Sequence, residues 1–565
     1  MKCFNIKNQR GSGMLLAFFT MMLLFTFGIM FLSAGSSSLM ASKRDVLRAR
    51  ALACAEAGVD KGIQMLMAPG PDGQPGSYRT YHPSSNPDNH NGDTWYHNSI
   101  VPNEDFYVCV RNGTGINAGK VVITSKGVVT DSGATCTRTV KVVVRFAKEN
   151  VNVWNNVIFG GVGQSGKSIN GNVVMRGSIH LLGDGEDYTD VDGDGHWDDA
   201  EPYTDLNHNG RYDLGEPYID VDGDGHRDAQ EPFVDVNGNG TRDPALTVTD
   251  MAEEISGTAN VGNNYDGMPS DLRALLPALP QVTWNGRTVD SLSAKLRVKH
   301  GKVNISGSAT VGDPDVSGST TKQTMDGTYV SDGFGGNKGT SSVYSDNGCS
   351  NGYDLGDGIV DMPVIDNGSV TVDGTIYSTY LNYLSQNALV YNGDLNINNG
   401  TAMTISGPKG SISIDSSGNM TISGIVYVTG DISFGPGKSR IIYQGNGTLV
   451  TPNSTDVHCD LVPKTNFPHN DTLGLICGDK INLATGSGDA HLTMAIAMYA
   501  QHKIVCAKQS DIAGTIVASY YEMSNVPRIY QVPDLATHLP PGMPGAAPIW
   551  IGTISIQSWQ EVANP

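Results

Sequence analysis

The chain has 565 residues, 69 glycines and a formal net charge of −20. Residues 184–243 hold 19 Asp and Glu against three Arg (net −16), which leaves 38 acids against 34 bases (net −4) for the rest. That balance has no basic stripe for nucleic acid, and eight scattered cysteines without a CxxC spacing argue against a zinc or dithiol redox motif.

The first predicted element is a long helix. No charged residue stands between Arg10 and Lys43, and the nineteen mostly apolar positions of Met14–Leu32 are enough to cross a bilayer as a helix. Lys2, Lys7 and Arg10 precede this run; Lys43, Arg44, Arg48 and Arg50 follow it. A helical pattern continues through Ala49–Met67 and stops at Pro69-Gly70, so the apolar helix carries an amphipathic stem. An ordinary signal peptide cut near Ser33-Ala34-Gly35 is one alternative, although signal h-regions are usually about 7–15 residues long and lack such a continuation. A plain signal anchor is another. Leu52-Ala53-Cys54 lies too far beyond the apolar run for a lipobox.

The segment NQRGSGMLLAFF, followed by RARALACAEAGVDKGI, resembles the N-terminus of PilX-like type IV minor pilins, with their QRG-type cleavage site and distal A-x-AEAG stretch. The resemblance implies a prepilin-type leader over 1–11, processing between Gly11 and Ser12, and a transmembrane and stem helix over 12–68. It also implies the type IV pilus assembly machinery and other pilins as partners. The chain would sit in the inner membrane before assembly, then in the pilus or at the cell surface. One departure is Leu16 at the fifth mature position, where major pilins carry Glu; this argues against a bulk filament subunit.

Residues 69–150 read as a small antiparallel, pilin-like β-meander. Its strands are Phe106–Arg111, Lys120–Thr130 and Thr135–Phe146, separated by Asn-Gly-Thr-Gly and Asp-Ser-Gly turn signals. Cys109 and Cys136 fall in the first and third strands and would pair if those strands were neighbours. From Val151 the pattern changes to short runs such as GKVNISG, GSVTVDG and GSISIDSSG, each ending in a Gly, Asn or Asp turn. Short, numerous runs of this kind stack as rungs of a parallel β-helix, with a hairpin-built β-sandwich as the alternative. The reading places the start of the β-helix at 151–183 and the β-helix with its C-terminal tail at 246–565. The later runs, from GLICGDKINL to IYQVPDLATHLPPGMPG, resemble the β-helical region found after PilX-type N-termini. The fold class is therefore mainly β, with one N-terminal α-helix.

An insertion over 184–245 repeats one calcium-loop pattern four times at a spacing of fifteen residues. The first copy is Asp190-Val-Asp192-Gly-Asp194-Gly195-His196-Trp-Asp198-Asp-Ala-Glu201. It matches the D-x-[DN]-x-[DN]-G-x5-E loop, in which side-chain oxygens and one backbone carbonyl surround Ca²⁺. The second copy places Asp205, Asn207, Asn209, Arg211, Asp213 and Glu216 at the ligand positions. The third places Asp220, Asp222, Asp224, His226, Asp228 and Glu231 there, and the fourth Asp235, Asn237, Asn239, Thr241 and Asp243 without a final Glu. His196, Arg211, His226 and Thr241 hold the position that ligates through its backbone carbonyl.

Only three residues beginning with Pro join successive copies, so no flanking helix fits. The loops are tandem, closer to thrombospondin type 3 or dockerin-like repeats than to paired EF-hands. Two rows recur at the same period: Tyr188, Tyr203, Tyr218 and Phe233, and Val191, Leu206, Val221 and Val236. With so little apolar area, bound metal must supply much of the folding free energy. Odd copies carry Asp where even copies carry Asn, so the first and third loops should fill before the second. An acidic linker is the plain alternative, although it does not explain Gly at the sixth position of all four copies. A broken echo stands at Asn351-Gly-Tyr-Asp354-Leu-Gly-Asp357.

The leading functional expectation is non-enzymatic: a calcium-stabilised pilus-associated surface protein acting in adhesion, assembly or capping. A passive envelope or surface-coat protein is the second reading. A calcium-dependent β-helix polysaccharide lyase is the third, but that chemistry needs a basic residue beside the metal, and the loops contain no Lys.

Overall fold

A computed structural model describes residues 10–68, 74–76, 89–90, 93–164, 172–182, 200, 202–206, 212, 216–219, 227, 229–230, 232, 258–299, 303–331, 333–350, 352–355, 359–489, 491–523 and 527–562. The chain divides into two compact units, Met1–Asn150 with Trp550–Pro565, and Val151–Ile549.

The first unit opens with helix α1, Arg10–Met67, whose 58 residues span about 87 Å at about 1.5 Å per residue. It contains no proline and ends just before Pro69. A five-stranded antiparallel sheet follows in the order β1 (Tyr96–Val101), β2 (Glu104–Asn112), β3 (Val121–Asp131), β4 (Ala134–Asn150) and the C-terminal strand Trp550–Val562. The last half of α1 lies on this sheet. Ala55, Val59 and Leu66 of the stem pack against Val108 and Ile123 of β2 and β3 and Val142 of β4. Burying one such aliphatic side chain is worth about 1.5–3 kcal/mol. Glycines set how closely helix and sheet approach: a Cβ on Gly127 of β3 would stand 2.1 Å from the Ala51 carbonyl oxygen. On the helix side, a Cβ on Gly62 would meet the Ile123 side chain at 2.7 Å.

Two expectations are revised here. The C-terminal residues do not finish a β-helix, because Trp550–Val562 pairs along β4 from Trp550 opposite Asn150 to Val562 opposite Thr139. The whole second unit is thus an insertion between two neighbouring strands of the first unit's sheet. Cys109 of β2 and Cys136 of β4 do not pair, since β3 runs between their strands and both thiols are free.

In the second unit the Val151 amide donates to the Ile549 carbonyl at 2.8 Å, so the chain enters and leaves side by side. Its main sheet is dominated by parallel ladders. In chain order its principal strands are β5 (Ile158–Gln164), β6 (Ile179–Leu181), β7 (Lys295–Val298), β8 (Gly327–Val330), β9 (Leu389–Tyr391), β10 (Asn419–Val428), β11 (Arg440–Thr451), β12 (Thr472–Cys477), β13 (Leu492–Cys506) and β14 (Ser510–Met523). Spatial order differs from chain order. The ladder runs β8-β7-β6-β5-β14-β13-β12-β11-β10-β9, every pairing parallel. The chain therefore starts mid-stack at β5, proceeds to one end, crosses to the far end at β9 and returns until β14 closes against β5. Successive rungs bury like residues over like: Val426 opposite Leu449, Leu449 opposite Leu475, Leu475 opposite Met498, Met498 opposite Ile516, all inaccessible to solvent.

Candidate functional site

Two features carry functional potential: the free half of α1 and the calcium-loop insertion. Among the described residues, α1 alone is long and apolar enough to cross a membrane, and its most apolar window is entirely unburied. Phe18 and Phe25 are each 71% exposed, whereas Ala51, Ala55 and Leu66 of the stem are fully buried. One helix thus has an N-terminal half with no covering in its own chain and a C-terminal half fixed on a sheet. The hydroxyls in the exposed half are satisfied within the helix. Thr20 Oγ1 donates to the Leu16 carbonyl at 3.0 Å, Thr26 to Leu23 at 2.8 Å, and Ser37 to Ser33 at 2.8 Å. Such internal bonding leaves no side-chain polar group that demands water, as an apolar surrounding requires. Gly11 and Ser12 fall in the first turn of α1. Leu16 is exposed with the rest of this stretch.

At the junction of the two halves, the Arg50 guanidinium donates through Nε to Glu104 Oε1 at 2.8 Å. This bond ties the top of the stem to the start of β2. Its hydrogen bond to Glu104 also holds the Arg50 pKa above the ordinary arginine value. Burial pushes the neighbouring Cys54 thiol up from its usual value, against a nucleophilic or lipid-bearing cysteine there.

In the insertion, Asp205 and Glu216 are the two expected ligand residues that lie among the described residues; the others, from Asp190 to Glu201, Asn207 to Asp213 and Asp220 to Asp243, lie outside them. Asp205 and Glu216 are the first and last ligand positions of the second loop. Glu216 is buried, and its Oε1 accepts the Leu206 amide at 2.8 Å. The last position of the loop is thereby folded back against its start, the closure that a wrapped cation requires.

The linkers also meet. Tyr203 and Tyr218 form an antiparallel bridge, with Thr204 N donating to Pro217 O at 2.7 Å and Ile219 N to Pro202 O at 2.8 Å. The aromatic row is therefore real at this pair, and two members went unnoticed in the sequence. Tyr212 stands edge-on to Tyr203 and Tyr218, with ring centroids 5.6 and 6.1 Å away. The Arg227 guanidinium lies 4.7 Å from the Tyr203 ring and 4.9 Å from the Tyr212 ring, close enough for cation–π attraction. The aliphatic row does not form a core at its described member, because Leu206 is 63% exposed. The broken echo is committed elsewhere: Arg297 binds the Asp354 carboxylate through Nε at 2.9 Å and Nη2 at 3.2 Å. Among the described residues, no group of three or more His, Cys, Asp or Glu side chains is placed to hold a metal.

No protein-family model matches this sequence, and no curated protein matches it. Among solved structures, the chain is similar to the competence-associated pilin ComZ from Thermus thermophilus, at 15% identity and a TM-score of 0.43. The alignment covers 91% of this chain and 97% of that one. At that identity and score the likeness carries no functional argument.

Proposed function

We propose that this chain is a minor-pilin-like surface protein that enters a type IV pilus or related filament through α1 and displays its second unit outside the cell. One observation carries the reading: a single helix whose first half is apolar and exposed, and whose second half is locked on a small antiparallel sheet. The exposed half suits lipid before assembly and the helices of neighbouring subunits afterwards, both apolar surroundings. The NQRGS junction at the start of this helix supports leader removal between Gly11 and Ser12.

In this reading the parallel ladders of the second unit are the rungs of a β-helix, and the loops at 184–245 bind Ca²⁺ and stiffen a projection from it. Closure of the second loop by Glu216 and pairing of the linkers at Tyr203 and Tyr218 support that assignment. The displayed body would act in adhesion, assembly or capping without catalysis. Shearing filaments from cells that express the chain tests the proposal. The protein should co-purify with the filaments, and it should remain in the membrane fraction of cells that lack prepilin peptidase. A protein that stays in the envelope of cells with intact peptidase would favour the coat-protein reading.

A further inference from the structure

The second unit holds a pair of histidines that the calcium reading does not use. His469 lies in the loop between β11 and β12, and His538 directly follows the short 3₁₀ turn Pro533–Thr537. Both carriers are rigid. The His469 loop is pinned by Phe467, which is fully buried and whose amide donates to the Leu275 carbonyl at 2.9 Å. Asp471 pins it from the other side, accepting the Thr465 and Gly445 amides at 2.7 and 2.8 Å. The His538 turn is anchored by buried Leu535, whose carbonyl accepts the His538 amide at 3.0 Å.

The hydrogen bonds fix where each neutral ring keeps its proton. His469 Nε2 faces the Asp534 carboxylate at 3.1 Å, an acceptor, so Nε2 carries the hydrogen. His538 Nδ1 lies 3.0 Å from the Asp534 backbone carbonyl and 3.0 Å from Thr537 Oγ1. The Thr537 hydroxyl proton already goes to that same carbonyl at 3.0 Å, so both neighbours accept and His538 Nδ1 carries its hydrogen. The two remaining nitrogens, His469 Nδ1 and His538 Nε2, then turn lone pairs toward each other across 3.3 Å. Facing lone pairs at that distance repel unless a cation joins them.

We propose that His469 Nδ1 and His538 Nε2 bind a divalent transition-metal ion of the zinc, nickel or copper class. A tetrahedral ion with metal–nitrogen distances of about 2.0–2.1 Å holds two ligand nitrogens roughly 3.3–3.4 Å apart, which is the separation found here. Imidazole nitrogens select these metals over Ca²⁺, which takes oxygen ligands, so this site is chemically distinct from the loops at 184–245. Asp534 acts through His469, fixing its tautomer and ring orientation as carboxylates beside metal-bound histidines do. Both rings are exposed, so water completes the coordination and the ion reaches the site from solvent.

Calorimetric titration of the full chain in detergent with Zn²⁺, in excess Ca²⁺ to keep the oxygen sites filled, tests this. The intact chain should bind one Zn²⁺ equivalent that disappears in both His469→Ala and His538→Ala. Asp534→Asn should weaken that equivalent by about 10–100-fold. Cu²⁺ at the same site should show two nitrogen ligands by electron paramagnetic resonance. Zn²⁺ uptake that is absent in the parent, or unchanged in both histidine variants, would overturn the proposal. So would a copper spectrum with fewer than two nitrogens. The surface position of both rings lets circular dichroism confirm that each variant stays folded.

Discussion

Replacing Gly127 by alanine tests the docking of stem on sheet with a single methyl group. Gly127 lies in β3, opposite Phe106 of β2 and Arg138 of β4. The added Cβ would stand 2.1 Å from Ala51 O, 2.5 Å from Ala55 N and 2.9 Å from Cys54 Cβ. Two of these are helix backbone atoms inside an unbroken hydrogen-bonded ladder, so no side-chain rotation relieves the clash. Reaching ordinary contact requires the stem to lift from the sheet by on the order of 1 Å, which opens gaps around Ala55 and Val59. Overpacking of this kind costs about 1–3 kcal/mol. For a unit of this size each kcal/mol lowers the melting temperature by about 2–4 °C. Thermal unfolding followed by circular dichroism should show that drop, and hydrogen exchange should show faster exchange of the β3 amides. The control is Gly488→Ala in the second unit, where an added Cβ meets nothing within 4 Å and which should stay within about 0.5 kcal/mol of the parent. A Gly127→Ala chain that melts and exchanges like the control would refute the close approach of helix and sheet.

Chelating Ca²⁺ should make residues 184–245 sensitive to protease while the ladders of the second unit stay resistant, read by mass spectrometry of the fragments; equal protection with and without Ca²⁺ would remove the metal from the account. Burial, then the nearby Arg297 and Lys299, hold His180 neutral and its pKa well below the usual histidine value. In the unfolded chain the same ring takes up a proton near pH 6.5, so its contribution is complete above that pH and lost as pH falls below it. The intact chain should therefore lose about 1.4 kcal/mol per pH unit below about pH 6.5 relative to His180→Gln, measured by denaturant unfolding of both proteins between pH 7 and 5.

Much of the first unit was legible because its signals are local. A charge-free run long enough for a bilayer, followed by a helical pattern ending at Pro69, marks α1 within two residues at its C-terminus. Alternation placed strands at 106–111, 120–130 and 135–146, against Glu104–Asn112, Val121–Asp131 and Ala134–Asn150 found. The fifth strand was hidden by distance: nothing near Trp550–Val562 indicates that its partner ends at Asn150. The spatial order of the rungs was hidden for the same reason, since a short apolar run does not encode which other run it stacks on. Fifteen-residue periodicity exposed the pairing of Tyr203 with Tyr218, but Tyr212 and Arg227 fall off the expected rows. His469 and His538 carry no motif at all, because two distant segments bring their rings together.

The central claim is that α1 begins a processed, assembly-competent chain. Mass spectrometry of the N-terminus of protein isolated from cells tests it most directly. The account predicts a chain starting at Ser12, with residues 1–11 removed and the apolar half of α1 retained. A chain starting at Met1, or one cut after residue 33 so that the apolar half is lost, would contradict it.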